Sequence, residues 1–234
     1  MVKNVIELLE KKANEKTKVR FINNGATNKV LGVNYTDIKK IAKPYKNDNE
    51  MALELYNTHI YECMYMSKYI FDLSNIDEAM IIRFVEESDS YNIIENVLAQ
   101  LGFYLKNVDT IIERYISSEN NNLRLFAYCL YCEYISIVDN SEIDIEKVKE
   151  TIEIVKNNIK SEENRIKYNM NNFLLVCGAY IPELTSYVIE IAKSIGKVNV
   201  DMKNTYCKVA EIPTYLDKMI KLKKIGNKRK TSIC

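Results

Sequence analysis

Tyr91 and Glu95 are the side chains in this sequence best placed to do chemistry. They stand four apart, so on a helix the ring and the carboxylate lie together, one turn from each other. The next positions along the same shoulder, Ala99 and Gly102, are too small to cover that carboxylate. A partly desolvated carboxylate beside an aromatic ring and open space is the nearest thing in this sequence to a site. The same residues also fit a solvated Glu at the edge of an apolar stripe, which does nothing chemical.

Other candidates fall at or near the starts of further predicted helices: His59, Glu62, Arg124, Tyr128, Arg165, Lys167, Tyr168, Asn169 and Asn172. Arg124, with Tyr128 one turn on, would hold a phosphate or else pair with Glu95 as a structural ion pair. His59 is the single histidine and precedes its helix, as a structural or capping residue would. With one His, a zinc centre or a Ser-His pair has no support, and no phosphate-cradling glycine motif occurs. Cys129-x-x-Cys132 lies inside an apolar helical run with no second pair at zinc spacing, so it reads as core. Neither a metal nor a cofactor is expected.

These residues need helices to position them. Ile94, Val97, Leu98, Leu101 and Leu105 form one stripe at helical spacing, and Ser88-Asp89-Ser90 can cap the first turn, so 90–105 is read as one helix. The chain has an apolar fraction of 47%, only 6 Gly and 3 Pro, and no Trp, which favours helices on short loops over a sandwich or barrel. A first helix is predicted over 2–22 and another from Thr36-Asp37 to Pro44. Helix pairs follow over 49–57 and 59–72, 76–87 and 90–105, 108–117 and 121–138, and 144–159 and 162–179, with 182–195 alone. Each second helix begins with polar or aromatic residues and continues as a long apolar run. The recurrence, at roughly thirty to forty residues, is that of an all-α solenoid of HEAT-like repeats stacked into a curved superhelix.

The expected domains are a repeat domain over 1–195 and a C-terminal extension over 196–234. Within the extension, a short extended ribbon is expected near 197–209, a helix at most over 213–222, and a basic tail over 223–234. From Lys218 onward there are seven Lys or Arg and no acid, so the rest of a chain whose net charge is +1 is acidic. The tail is read either as a solvated end or as an arm that touches phosphate. No apolar run is long enough to span a bilayer, and the charged N-terminus does not read as a signal peptide. The scattered cysteines fit a reducing cytoplasm.

Leu31-Gly32-Val33 with the Asp37-Ile38-Lys39-Lys40 helix, then Leu53-x-Leu55-Tyr56 and His59-x-x-Glu62, resembles the opening of the AlkD-like DNA alkylation repair glycosylases. The Tyr91-Asn92-x-x-Glu95 helix and Arg124 extend the resemblance over roughly 20–190. It implies a HEAT-like protein that cups duplex DNA on a basic concave surface and releases cationic N3- or N7-alkylated purines. The family uses a Trp-x-x-x-Asp element, a groove Arg and a second Trp. Here Tyr91 stands at the first Trp, Glu95 at the Asp and Asn172 at the second Trp, while Arg124 matches the Arg. The expected function is therefore an N-glycosylase on duplex DNA, cytoplasmic and associated with the nucleoid when DNA-bound. Glu95 and Tyr91 would be catalytic, and Arg124, Tyr128, Arg165, Lys167 and Asn172 would contact DNA. Tyr binds a cation on its face less strongly than Trp, and Asn offers no such face. The alternatives are a non-catalytic binder of DNA structure and a HEAT-like protein-interaction module.

Overall fold

A computed structural model describes residues 1–27, 29–202, 205 and 208–233, and among these the regular structure is helical. The one β-type pairing among them is an isolated bridge between Lys29 and Ile60. The chain divides into two compact units, one over Met1–Val108 and one built on Asp109–Met202.

The first unit holds α1 (Val2–Glu10), α2 (Glu15–Asn23), α3 (Tyr35–Ala42), α4 (Asn49–Tyr56), α5 (Tyr61–Ser67), α6 (Glu78–Glu87), α7 (Tyr91–Ile93) and α8 (Ala99–Gly102). Its core is the apolar face of each: Val5 and Leu9, Phe21, Ile38 and Ala42, Met51 and Leu55, and Ile81, Phe84 and Val85 are all buried. Burying each of the larger of these side chains contributes about 1.5–3 kcal/mol. Helix starts follow the capping residues: Asn14, Asn34, Asp48 and Asp77 each accept a backbone N–H two or three residues on.

Several helices differ from expectation: α3 is capped by Asn34 and not by Thr36-Asp37, and the first turn of α7 has no side-chain cap from Ser90. The stretch 2–22 is two helices, because Asn14 caps α2 while its own N–H donates to the Gly32 carbonyl at 2.9 Å. Helix 90–105 is not α-helical throughout: a π turn, Ile94–Leu98, separates α7 from α8. The apolar stripe still faces inward, with Ile94, Val97, Leu98 and Leu101 buried.

The second unit holds α9 (Val108–Tyr115), α10 (Asn121–Ile137), α11 (Ile145–Asn158), α12 (Asn164–Tyr180), α13 (Thr185–Ile195) and α14 (Ile212–Lys221). α10 and α12 pack side by side along their length through Tyr128, Tyr131 and Phe173. Pro182 begins a bend of 115° after α12. α14 packs on α12 and α13, with Leu216 in the space above Gly178. No single helix among the described residues is long and apolar enough to cross a membrane.

The expected ribbon near 197–209 falls partly outside the described residues, and those described there form no strand. The tail is not a free arm in its described part. The Gly226 N–H donates to the Ala179 carbonyl at 2.8 Å, and the Arg229 N–H to the Ser136 carbonyl at 2.7 Å. The Arg229 guanidinium donates to both Glu133 oxygens at 3.0 and 3.1 Å, and the Ser232 hydroxyl to the same carboxylate at 2.8 Å. Lys228 Nζ donates to the Ile135 carbonyl at 2.6 Å, in the last turn of α10, where carbonyls lack helical partners. Partial burial lowers the Lys228 pKa.

Candidate functional site

In the first unit, the candidate Glu62 is fully buried and works as an anchor. Its carboxylate accepts the N–H groups of Leu31, Gly32 and Val33 at 2.9, 2.6 and 3.2 Å. Three charge-assisted hydrogen bonds offset the desolvation of a buried anion, and they hold the Leu31-Gly32-Val33 loop in a fixed curve. Gly32 has φ +96°, and a Cβ there would press on the Asn14 carbonyl and Lys18. A side chain at Gly32 would therefore part the loop from α2.

Next to Glu62 begins a relay of hydroxyls. The Tyr35 and Tyr61 hydroxyls are 3.0 Å apart, Tyr61 donates to Asn92 Oδ1 at 2.6 Å, and Asn92 Nδ2 donates to the Asn24 carbonyl at 3.2 Å. Burial raises the Tyr61 pKa far above the usual phenol range, so it stays a donor. Ser90 Oγ donates to the Gly25 carbonyl at 3.0 Å, and Thr27 Oγ1 to the Asp89 carbonyl at 3.1 Å. Residues 24–27 are thereby strapped across the first turn of α7. The ring of Tyr91 is half-buried beneath this strap, and a Cβ placed on Gly25 would fall inside its phenol end.

Glu95 lies in the π turn and is half-buried. Beneath that turn stands a residue the sequence reading missed. Lys68 is 2% exposed, and its ammonium donates to the Asn96 carbonyl at 2.7 Å and to Gln100 Oε1 at 2.8 Å. It also stands 3.9 Å from the centre of the Tyr65 ring. The signal was a lysine one turn after Tyr65 in an otherwise apolar run. A π turn widens the helix and loosens its carbonyls, and here the ammonium takes the carbonyl directly after Glu95.

In the second unit, the starts of α10 and α12 lie together through Arg124. Its guanidinium donates to Glu162 Oε1 and Asn121 Oδ1, each at 2.8 Å, and to the Ser118 carbonyl. The ion pair with Glu162 is mostly shielded, each side chain being 16% exposed. Tyr128 is a correction: it is fully buried with its ring edge against Phe173, so it does not reach a ligand at the surface. Burial raises its pKa, with Glu162 adding to the rise.

Along α12, Arg165, Tyr168 and Asn172 recur at three and four and form one half-buried stripe, with Lys167 beside it. The Arg165 guanidinium lies 4.4 Å from the centre of the Tyr168 ring. The helix N-terminus itself is already occupied, since the Glu163 carboxylate accepts the N–H groups of Arg165 and Ile166 at 2.8 and 3.2 Å. Any phosphate here would be held by side chains and not by the end of the helix. Tyr91 and Glu95 belong to the first unit, and Arg124, Tyr128, Arg165, Lys167 and Asn172 to the second. Cys129 is buried in α10, consistent with its reading as core.

Successive helices packed through their apolar faces define an all-α protein of HEAT-like repeats. The model of the DNA alkylation repair enzyme family matches residues 5–203, and the chain belongs to that family. Two uncharacterized relatives, from Listeria innocua serovar 6a and Listeria monocytogenes serovar 1/2a, are 28% and 27% identical over 199 residues. Each match covers 81% of this chain and 83% of the relative. A solved structure superposes with a TM-score of 0.89 at 28% identity, covering 97% of both chains. That protein is described as a new family related to the HEAT-like repeat DNA glycosylases, with affinity for branched DNA structures.

Proposed function

We propose that this protein binds DNA by its backbone and distinguishes DNA structure, branched over plain duplex, without releasing a base. The observation that carries this reading is the packing of Tyr91 into the gap at Gly25, under a strap tied to Ser90, Asn92 and Asp89. A ring that must stack on an alkylated base needs freedom to present its face, and the phenol end of this ring is packed against Gly25. The departures at Glu95 and Asn172 point the same way. The branched-DNA affinity of the structural neighbour supports the choice of ligand. On the binding side, the Arg165–Tyr168 stack with Lys167 offers charge and a flat surface, which suits backbone and exposed bases without reading sequence.

The test is binding of a four-way junction and of a plain duplex at several salt concentrations, beside incubation with duplex carrying 7-methylguanine or 3-methyladenine. The expected result is tighter junction binding with no free base. Equal affinity for both DNAs would overturn the structural preference. Base release would establish the second reading, excision with Glu95 as the charge-stabilising residue. The π turn that carries Glu95 favours that reading, because such turns recur at functional positions. Glu95→Gln would then lower the rate about 10²–10³-fold and leave DNA affinity nearly unchanged.

A further inference from the structure

The basic C-terminal stretch separates into two parts with different work. Lys228 and Arg229 are spent inside the protein, on the Ile135 carbonyl and on Glu133. Lys218, Lys221, Lys223 and Lys224 are exposed on the last turn of α14 and the turn that closes it. None of these four makes an ion pair among the described residues. The nearest acids in sequence do not pair with them: Glu211 accepts from Thr214 at 2.8 Å, and Asp217 is exposed and makes no ion pair among the described residues.

The closing turn adds an independent observation. The Lys224 N–H donates to the Met219 carbonyl at 3.0 Å and the Lys223 N–H to the Ile220 carbonyl at 2.9 Å. This double closure requires a left-handed residue just past the end of the helix, and that residue is Lys223, with φ +53°. Glycine is the favoured occupant of this position, because a Cβ there crowds the backbone. Among the described residues, the other non-glycine residues with positive φ are Asn47, His59 and Asn107, types that tolerate the conformation. A lysine held there against its conformational preference points to work done by its side chain.

We propose that Lys218, Lys221, Lys223 and Lys224 form a second phosphate-binding surface for the DNA backbone, fixed in place by the docked tail. The inference rests on the DNA-binding reading above and adds a contact surface to it. Charge complementarity selects the ligand: four unpaired ammonium groups within seven residues match a run of phosphates, and each contact releases counterions. An anionic membrane is the lesser fit. The apolar face of α14, with Ile212 and Leu216, is already buried, leaving Tyr215, Ile220 and Leu222 about half exposed.

Lys223→Gly is the discriminating variant. It should raise the melting temperature, by relieving the backbone, and reduce the slope of log affinity against log salt by about one unit. Replacing all four lysines by Gln should reduce that slope by about three to four units. If the wild type binds junction DNA and both variants keep its slope, the lysines are a solvated face and this inference falls, while the DNA-binding reading stands. If the wild type binds no DNA at low ionic strength, both fall. Binding to phosphatidylserine-containing vesicles but not to DNA would also overturn the proposal.

Discussion

The phenol end of Tyr91 fills the space that Gly25 leaves by having no side chain. Gly25 also sits at φ +89°, where L side chains are strained. Gly25→Ala is therefore expected to cost about 1–3 kcal/mol of stability, from clash and backbone strain together. Tyr91→Ala in the same chain should recover the clash component, so the two changes should be less damaging together than their sum. Urea denaturation of the two single variants and the double variant checks this. Strict additivity would mean that the ring and the strap do not bear on each other.

Glu62→Gln keeps the shape of the side chain but removes the charge that three backbone N–H groups share. The expected loss is about 1.5–3 kcal/mol, the range of charge-assisted hydrogen bonds. Amide exchange at Leu31, Gly32 and Val33 should quicken with it. An unchanged unfolding midpoint with unchanged exchange would show that the loop is held by other contacts.

Arg229→Ala should destabilise the second unit by about 2 kcal/mol, because it leaves the Glu133 carboxylate, 13% exposed, with Ser232 as its remaining tail partner. Limited trypsin digestion offers a direct readout. The wild-type tail should resist cleavage beside Lys228, and the variant tail should be cut early. Rapid cleavage of the wild type would place these contacts below the energy needed to hold the tail. Deleting 223–234 mixes this loss with the loss of the outer lysines, so point substitutions are the cleaner test of binding.

Stability should fall above pH 10. Burial raises the pKa of Tyr56, Tyr61, Tyr128 and Tyr131 above the ordinary phenol value of 10.0. Above that value the unfolded chain gives up phenol protons that the folded chain keeps, so rising pH favours unfolding. Their contribution is whole below pH 10 and is lost as the pH climbs toward the folded values. Lys228 runs the other way. Its lowered pKa means that the unfolded chain holds the extra proton below 10.5, but it is one group against four. Melting temperatures between pH 9 and 11, read with phenolate absorbance, should show phenolate appearing together with unfolding. Phenolate from all the tyrosines in the native state at pH 10.5 would contradict it.

The sequence alone determined that the chain is built of helices and roughly where most of them lie. Apolar residues at helical spacing and Asn, Asp or Glu at the caps are local features, and helix formation responds to local features first. The recurring helix pairs were legible for the same reason, and so was the family, through Leu31-Gly32-Val33, His59-x-x-Glu62 and Tyr91-Asn92-x-x-Glu95. What those residues do was decided only by contacts between segments far apart in the chain. Glu62 is an anchor because the Leu31–Val33 amides turn toward it, and the phenol end of Tyr91 is packed because Gly25 lies against it. Tyr128 is core because Phe173 faces it, and the basic tail is half spent because Glu133 and the end of α10 take Arg229 and Lys228. The π turn under Glu95 is tertiary as well: its Asn96 carbonyl is met by Lys68, twenty-eight residues earlier. A helical period places a side chain on a face, but burial, charge pairing and hydrogen bonding across the fold decide whether that face is a surface.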